Sequence, residues 1–152
     1  MLEPATASWD VSISKADFAK LKAGFEPQNQ DHKWRIWHTQ EGHSNNTLIH
    51  YARTGTGTKM YILHVKPNDG DGNIGANITA ITWTQKKGGT TISEMQGKKH
   101  AIIITRAVLD CDIEALPEYS FKDIWNRSAA TLPVDEQRKR DSDAYLEKLK
   151  NN

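Results

Sequence analysis

Asn46-Thr-Leu-Ile-His-Tyr-Ala-Arg53, then Thr54-Gly-Thr-Gly57, then Thr58-Lys-Met-Tyr-Ile-Leu-His-Val-Lys66 is the stretch that decides the fold. Two runs rich in β-branched and aromatic residues flank a short loop carrying Gly55 and Gly57, which is how a β-hairpin is written in sequence. Working outward, Lys33–Gln40 holds Trp34, Ile36 and Trp37 and reads as the strand before the hairpin, joined to it by the turn-like Glu41–Asn45. After the Asp-, Asn- and Gly-rich loop Pro67–Gly75, Asn77–Gln85 reads as the strand that follows, closed by Lys86-Lys-Gly-Gly89. The expectation is an α+β fold on a four-stranded antiparallel meander.

Helices are expected on both sides of the meander in the chain. Ser14 with Asp17 forms a Ser-x-x-Asp capping box, and Ile13 with Phe18 has the spacing of a hydrophobic staple. Gly24 ends that helix, so it spans Lys15–Ala23. Thr91 with Glu94 gives a second capping box, predicting a long helix to about Asp110 with Met95, Ile102, Ile103, Val108 and Cys111 on its buried side. Gly97 and the run Ile102-Ile-Ile104 also suit a fifth strand. Leu116–Asn126, with Tyr119, Phe121, Ile124 and Trp125, is expected to cross the domain. Pro133 suits the first turn of a charged C-terminal helix reaching about Lys150. The division is one domain over 1–128 and a charged helix or tail over 129–152.

Bulk properties narrow the function classes. The 152 residues carry a net charge of +1 with 26% charged residues, a balance that argues against a strongly cationic nucleic-acid binder. Cys111 is the only cysteine, so no intrachain disulfide forms. Met1–Ser12 has no apolar run and does not read as a signal peptide. No stretch approaches the ~18 apolar residues of a membrane span. A cytosolic or nuclear protein is expected. Five tryptophans are many for this length, and tryptophan serves both cores and binding surfaces.

The hairpin loop predicts a register. With Arg53 facing Thr58, Tyr51 stands opposite Met60, Ile49 opposite Ile62 and Thr47 opposite His64 on one face. The other face pairs His50 with Tyr61 and Leu48 with Leu63, with Ala52 and Val65 beside them. A slip of one residue exchanges the faces. Both faces are apolar, so either helices cover both or one is an open binding surface. On the second reading Trp37, Tyr51, Arg53, Met60, Ile62 and Trp83 are the ligand-binding candidates. Arg35, Arg53 and Lys66 with Trp37 and Tyr51 also suggest a basic, aromatic face of the kind that holds single-stranded nucleic acid, although no RNP-type motif is present.

Catalytic signals are sparse. No His/Cys spacing fits zinc, and no metal or cofactor is expected. The predicted register sends His50 and His64 to opposite faces. His38, His50 and His64 remain candidates for general acid–base work, since an imidazole titrates near neutrality. Gly55-Thr-Gly57 is too short for a phosphate loop, and Asp69-Gly-Asp71-Gly-Asn73 lacks the closing glutamate of a calcium loop. Cys111 lies between Asp110 and Asp112, whose charges disfavour a thiolate.

Ile13-Ser-Lys-Ala-Asp-Phe-Ala-Lys-Leu21, Lys33-Trp-Arg-Ile-Trp37 and His50-Tyr-Ala-Arg-Thr-Gly-Thr-Gly-Thr-Lys59 together resemble a group of small, uncharacterised, largely fungal proteins. Those have a Ser-Lys-x-Asp-Phe helix, a Lys-Trp strand and a hairpin ending Thr-Gly-x-Lys. The resemblance covers roughly the first 110 residues. It implies a helix over 91–110 and carries no activity or site residue. The leading expectation is thus a non-catalytic domain that binds a small molecule or protein partner, or a second copy, through a sheet face. The alternatives are a small enzyme using strand histidines and arginines, and a single-stranded nucleic-acid binder.

Overall fold

The structure is a computed structural model. It describes residues 1, 3–68, 70, 72–87 and 90–120. The expected C-terminal helix, and the part of the crossing segment beyond Ser120, lie outside the described residues.

Five strands form one antiparallel sheet in the order β1-β5-β4-β3-β2. They are β1 (Pro4–Ser14), β2 (Trp34–Gln40), β3 (Thr47–Arg53), β4 (Lys59–Pro67) and β5 (Ile74–Thr84). β2 to β5 are the expected meander. β1 is a correction: the sheet has five strands, not four. Ala5, Ala7, Trp9, Val11 and Ile13 alternate with Thr6, Ser8, Asp10 and Ser12, a period of two that fits a half-buried strand. β1 pairs with β5 from Pro4↔Thr84 to Ser14↔Ile74.

Helix α1 (Lys15–Ala23) carries the chain from β1 at one edge to β2 at the other. The Ser14 hydroxyl caps it by accepting from the Asp17 amide. At its end Gly24 has φ 67° and lies so close to the Ile36 carbonyl that a Cβ would overlap it. Phe25 then exchanges two backbone hydrogen bonds with Ile36, covering part of the β2 edge. A two-stranded ribbon, β6 (Lys86–Lys87) and β7 (Thr90–Thr91), leads to α2 (Glu94–Leu109). The cap of α2 is Ser93 in a reciprocal box with Gln96, two residues beyond the expected Thr91–Glu94 box. Consequently Met95 is 64% exposed rather than buried, while Ile102, Ile103 and Cys111 are buried as expected.

Both helices lie on the same face of the sheet. α2 runs obliquely over one row of side chains: Gly97 sits against Trp83 of β5, His100 accepts or donates at the Tyr61 hydroxyl of β4 (2.6 Å), and Thr105 meets the Tyr51 hydroxyl of β3 (2.6 Å). A Cβ at residue 97 would stand 3.2 Å from the Trp83 ring, which explains the glycine inside the helix. Ile36, Ile49, Leu63, Val65, Ile78 and Ile81 fill the layer beneath, together with Phe18 and Leu21 of α1.

The segment after α2 is pinned from two sides. The Asp17 carboxylate accepts from the Asp112 and Ile113 amides at 3.0 and 2.8 Å. Arg106 donates to the carbonyls of Asp112, Ile113, Leu116 and Pro117. Ile113 needs that support. Its φ is 47°, a region costly for a β-branched residue, while its side chain is fully buried.

Candidate functional site

A single residue decides what the other face of the sheet presents. The β3–β4 hairpin begins in the expected register: the Arg53 amide donates to the Thr58 carbonyl, and Ala52 pairs with Lys59. The next pair is Tyr51↔Tyr61, so Met60 is an extra residue in β4, a β-bulge. Every later residue of β4 is thereby turned over relative to the uniform register. Tyr51, Tyr61, Ile49, Leu63, Thr47 and Val65 share the helix side. His50, Ile62, Leu48 and His64 share the other. The expectation that His50 and His64 point to opposite faces is therefore corrected.

The face without helices is built from two central rows that cross all five strands. One is Trp37, His50, Ile62, Thr82 and Thr6; the next is Thr39, Leu48, His64, Ala80 and Ser8. Hydrogen bonds tie the rows diagonally. His50 Nε2 pairs with Thr39 Oγ1 (2.8 Å), His64 Nε2 with Thr82 Oγ1 (2.8 Å), and Thr82 Oγ1 with Thr6 Oγ1 (2.8 Å). Trp37 stacks on the His50 ring at 5.1 Å between centroids and 12° between planes. Arg35 and Lys59 approach the Trp37 ring at 4.6 and 5.6 Å.

The imidazoles on this face are held neutral. His50 is pushed down to about 4, first by burial, then by the Lys59 charge and by repulsion from His64 when both rings would be protonated. Burial also lowers His64, against an opposing pull from Glu41. Neutral rings of this kind form hydrogen bonds and accept protons; at neutral pH they do not serve as acids. Among the described residues, two buried side-chain atoms have no hydrogen-bond partner: His50 Nδ1 and Asn77 Oδ1. Both belong to the helix-free face, since Asn77 stands opposite Lys66 and Ser12, one row beyond His64 and Ala80. On the helix side Tyr51, Tyr61, His100, Thr105 and Asp17 are all bonded, and the Trp83 indole donates to the Ile92 carbonyl at 2.8 Å.

The six expected ligand-binding residues do not share a surface. Trp37 and Ile62 are half-buried on the helix-free face. Tyr51, Met60 and Trp83 are core residues, 0%, 2% and 5% exposed. Arg53 lies at the end of β3 with its guanidinium 5.2 Å from the Trp34 ring centre. His38 is also on the helix side, where Nδ1 meets the Lys22 carbonyl at 2.8 Å. The basic, aromatic face is divided in the same way, because Tyr51 and Arg53 part from Arg35, Trp37 and Lys66. Thr6, Thr39, Leu48 and Thr82 carry no signal of their own in the sequence; the alternation of β1 and a correct hairpin register would have found them. Cys111 is buried, and burial, with Asp17 next, pushes its thiol up to about 12, so it is an inert side chain. Among the described residues no group of three His, Cys, Asp or Glu side chains is placed to hold a metal ion. None of their helices is long and apolar enough to cross a membrane.

Comparison of the chain with family models, with curated proteins and with solved structures finds no match.

Proposed function

We propose that the chain is a non-catalytic binding domain and that the helix-free sheet face is where it holds its partner. The observation that carries this reading is the location of the two unpartnered buried polar atoms. Buried polar groups are almost always hydrogen-bonded, and one left alone costs roughly 1–3 kcal/mol. Here both orphans sit on one face, beside half-buried Trp37, Leu48 and Ile62, while the opposite face is satisfied throughout its central row. A partner that supplies hydrogen bonds and covers apolar area there relieves both costs. The lowered proton affinity of His50 and His64 favours a binding role over acid catalysis.

Hydroxyl-radical footprinting tests the reading whatever the chemistry of the partner. Trp37, Leu48 and Ile62 should be labelled less in the extract of the source organism than in dilute purified protein, while Met95 on the helical side should be labelled equally in both. Equal labelling of all four in the two preparations removes the proposal.

A further inference from the structure

We infer that the partner of the helix-free face is a second copy of this chain, packed sheet against sheet about a two-fold axis; this rests on the proposed binding role of that face. The first argument is charge. About a quarter of the chain is charged (26%), so ten positions of average composition would hold two or three charged side chains. The ten residues of the two central rows hold none, with the histidines neutral. A wet sheet face of an isolated domain carries lysine, glutamate or arginine, and a core free of charge inside a charged rim is the anatomy of a protein interface. The rim is present. Arg35 and Lys59 lie at one end of the rows, and Glu41 and Lys66 at the other.

That distribution suits a copy of itself. A face with a strong charge of one sign repels its twin, whereas this one has no such charge at its centre. A two-fold axis running across the strands reverses each strand over its own copy, which sets Arg35 of one protomer near Glu41 of the other at both ends of the interface and leaves Lys59 facing Lys66 at the rim. The size also fits. Five strands at a spacing of about 4.8 Å, and four residue rows about 6.8 Å apart, span roughly 650 Å² in plan. A standard interface buries about 800 Å² per partner once side-chain relief is counted. Threonine hydroxyls of the twin can donate to the Asn77 Oδ1 acceptor and pair with His50 Nδ1.

Sedimentation equilibrium of the full chain tests this. The 17.1 kDa protein should run as a dimer at about 100 μM and dissociate on dilution, with a dissociation constant on the order of micromolar. Ile62→Lys and, separately, Thr82→Lys place a charge in the centre of each half and should raise that constant at least ~100-fold, whereas Met95→Lys should leave it unchanged. Circular dichroism and melting confirm that each variant folds; having two face variants keeps the test intact if one does not. A wild-type chain that stays monomeric to about 1 mM overturns the inference, and so does a dimer indifferent to both face substitutions. If the footprint on Trp37, Leu48 and Ile62 nevertheless appears in extract, the binding role stands with another partner. If the footprint is absent as well, both readings fall.

Discussion

Deleting Met60 probes the device that assigns every side chain of β4 to its face. Without that residue Lys59 is followed directly by Tyr61, so the ladder runs evenly from Ala52↔Lys59 to Tyr51↔Tyr61 with the turn and every later pair unchanged. Tyr61, Leu63 and Val65, each at most 1% exposed, keep their places under the helices. The main loss is the buried Met60 side chain, about 2–5 kcal/mol, which Met60→Ala loses as well. The deletion should therefore match Met60→Ala within ~1 kcal/mol. A deletion that flipped the strand would turn Tyr61, Leu63 and Val65 outward at about 1.5–3 kcal/mol each, or roughly 5–9 kcal/mol together, comparable with the whole stability of a domain, about 5–15 kcal/mol. Urea unfolding with constant slope measures both variants. A deletion variant less stable than Met60→Ala by more than ~3 kcal/mol, or one that does not fold, would refute the assignment of Met60 as the extra residue.

Two further outcomes are expected. Asp17→Ala leaves the Asp112 and Ile113 amides unbonded under a strained, buried Ile113, and should cost about 3–5 kcal/mol, against about 1.5–3 for Asp17→Asn, which keeps one acceptor; an Asn variant within ~0.5 kcal/mol of wild type in urea unfolding would contradict the role given to this carboxylate. For pH, His50 takes a proton in the unfolded chain near 6.5 but in the folded chain only near 4, so its stabilising contribution is complete above 6.5 and is lost as pH falls from 6.5 to 4. Discounted for its place at a solvent-facing surface, the loss should be roughly 1–2 kcal/mol, and His50→Gln should lack this part of the pH dependence; the same loss in both proteins between pH 7.5 and 4.5 would refute it.

The parts of the fold that are legible in the sequence are those fixed by local chemistry. Ser14, Asp17 and Gly24 bound α1 to the residue because caps and the left-handed stop act within one turn. The meander strands are legible for the same reason, as each is a run of strand formers ended by turn residues. β1 is hidden because its inward residues are mostly small: Ala5 and Ala7 give alternation with little hydrophobic contrast, and only the pairing with β5 makes a strand of them. The start of α2 is displaced because two boxes compete two residues apart. Thr91 is taken by the ribbon with Lys86, leaving Ser93 as the cap. Gly97 counts against a helix in the sequence, and only the Trp83 ring beneath it shows why glycine belongs there.

The faces are illegible for a different reason, and it bears on the site. The Thr54–Gly57 loop correctly implies the Arg53–Thr58 pairing, yet nothing in Lys59-Met60-Tyr61 announces a bulge, since each of these residues would also fit a regular strand. What selects the bulge is the global sum. In the uniform register the helix side would receive His64 and Ile62 in place of Tyr61, Leu63 and Val65, and the Tyr61–His100 and Tyr51–Thr105 hydrogen bonds could not both form beneath α2. The core therefore chooses the register, and the helix-free face receives what the core rejects: His50, His64, Ile62 and the threonines. That coupling separates two kinds of substitution. Changes to Tyr61 or Thr105 weaken the preference for the bulge and so disturb the helix-free face from the far side of the sheet. Changes to Ile62 or Thr82 alter what the face presents while leaving the register, which depends on the helix side, in place.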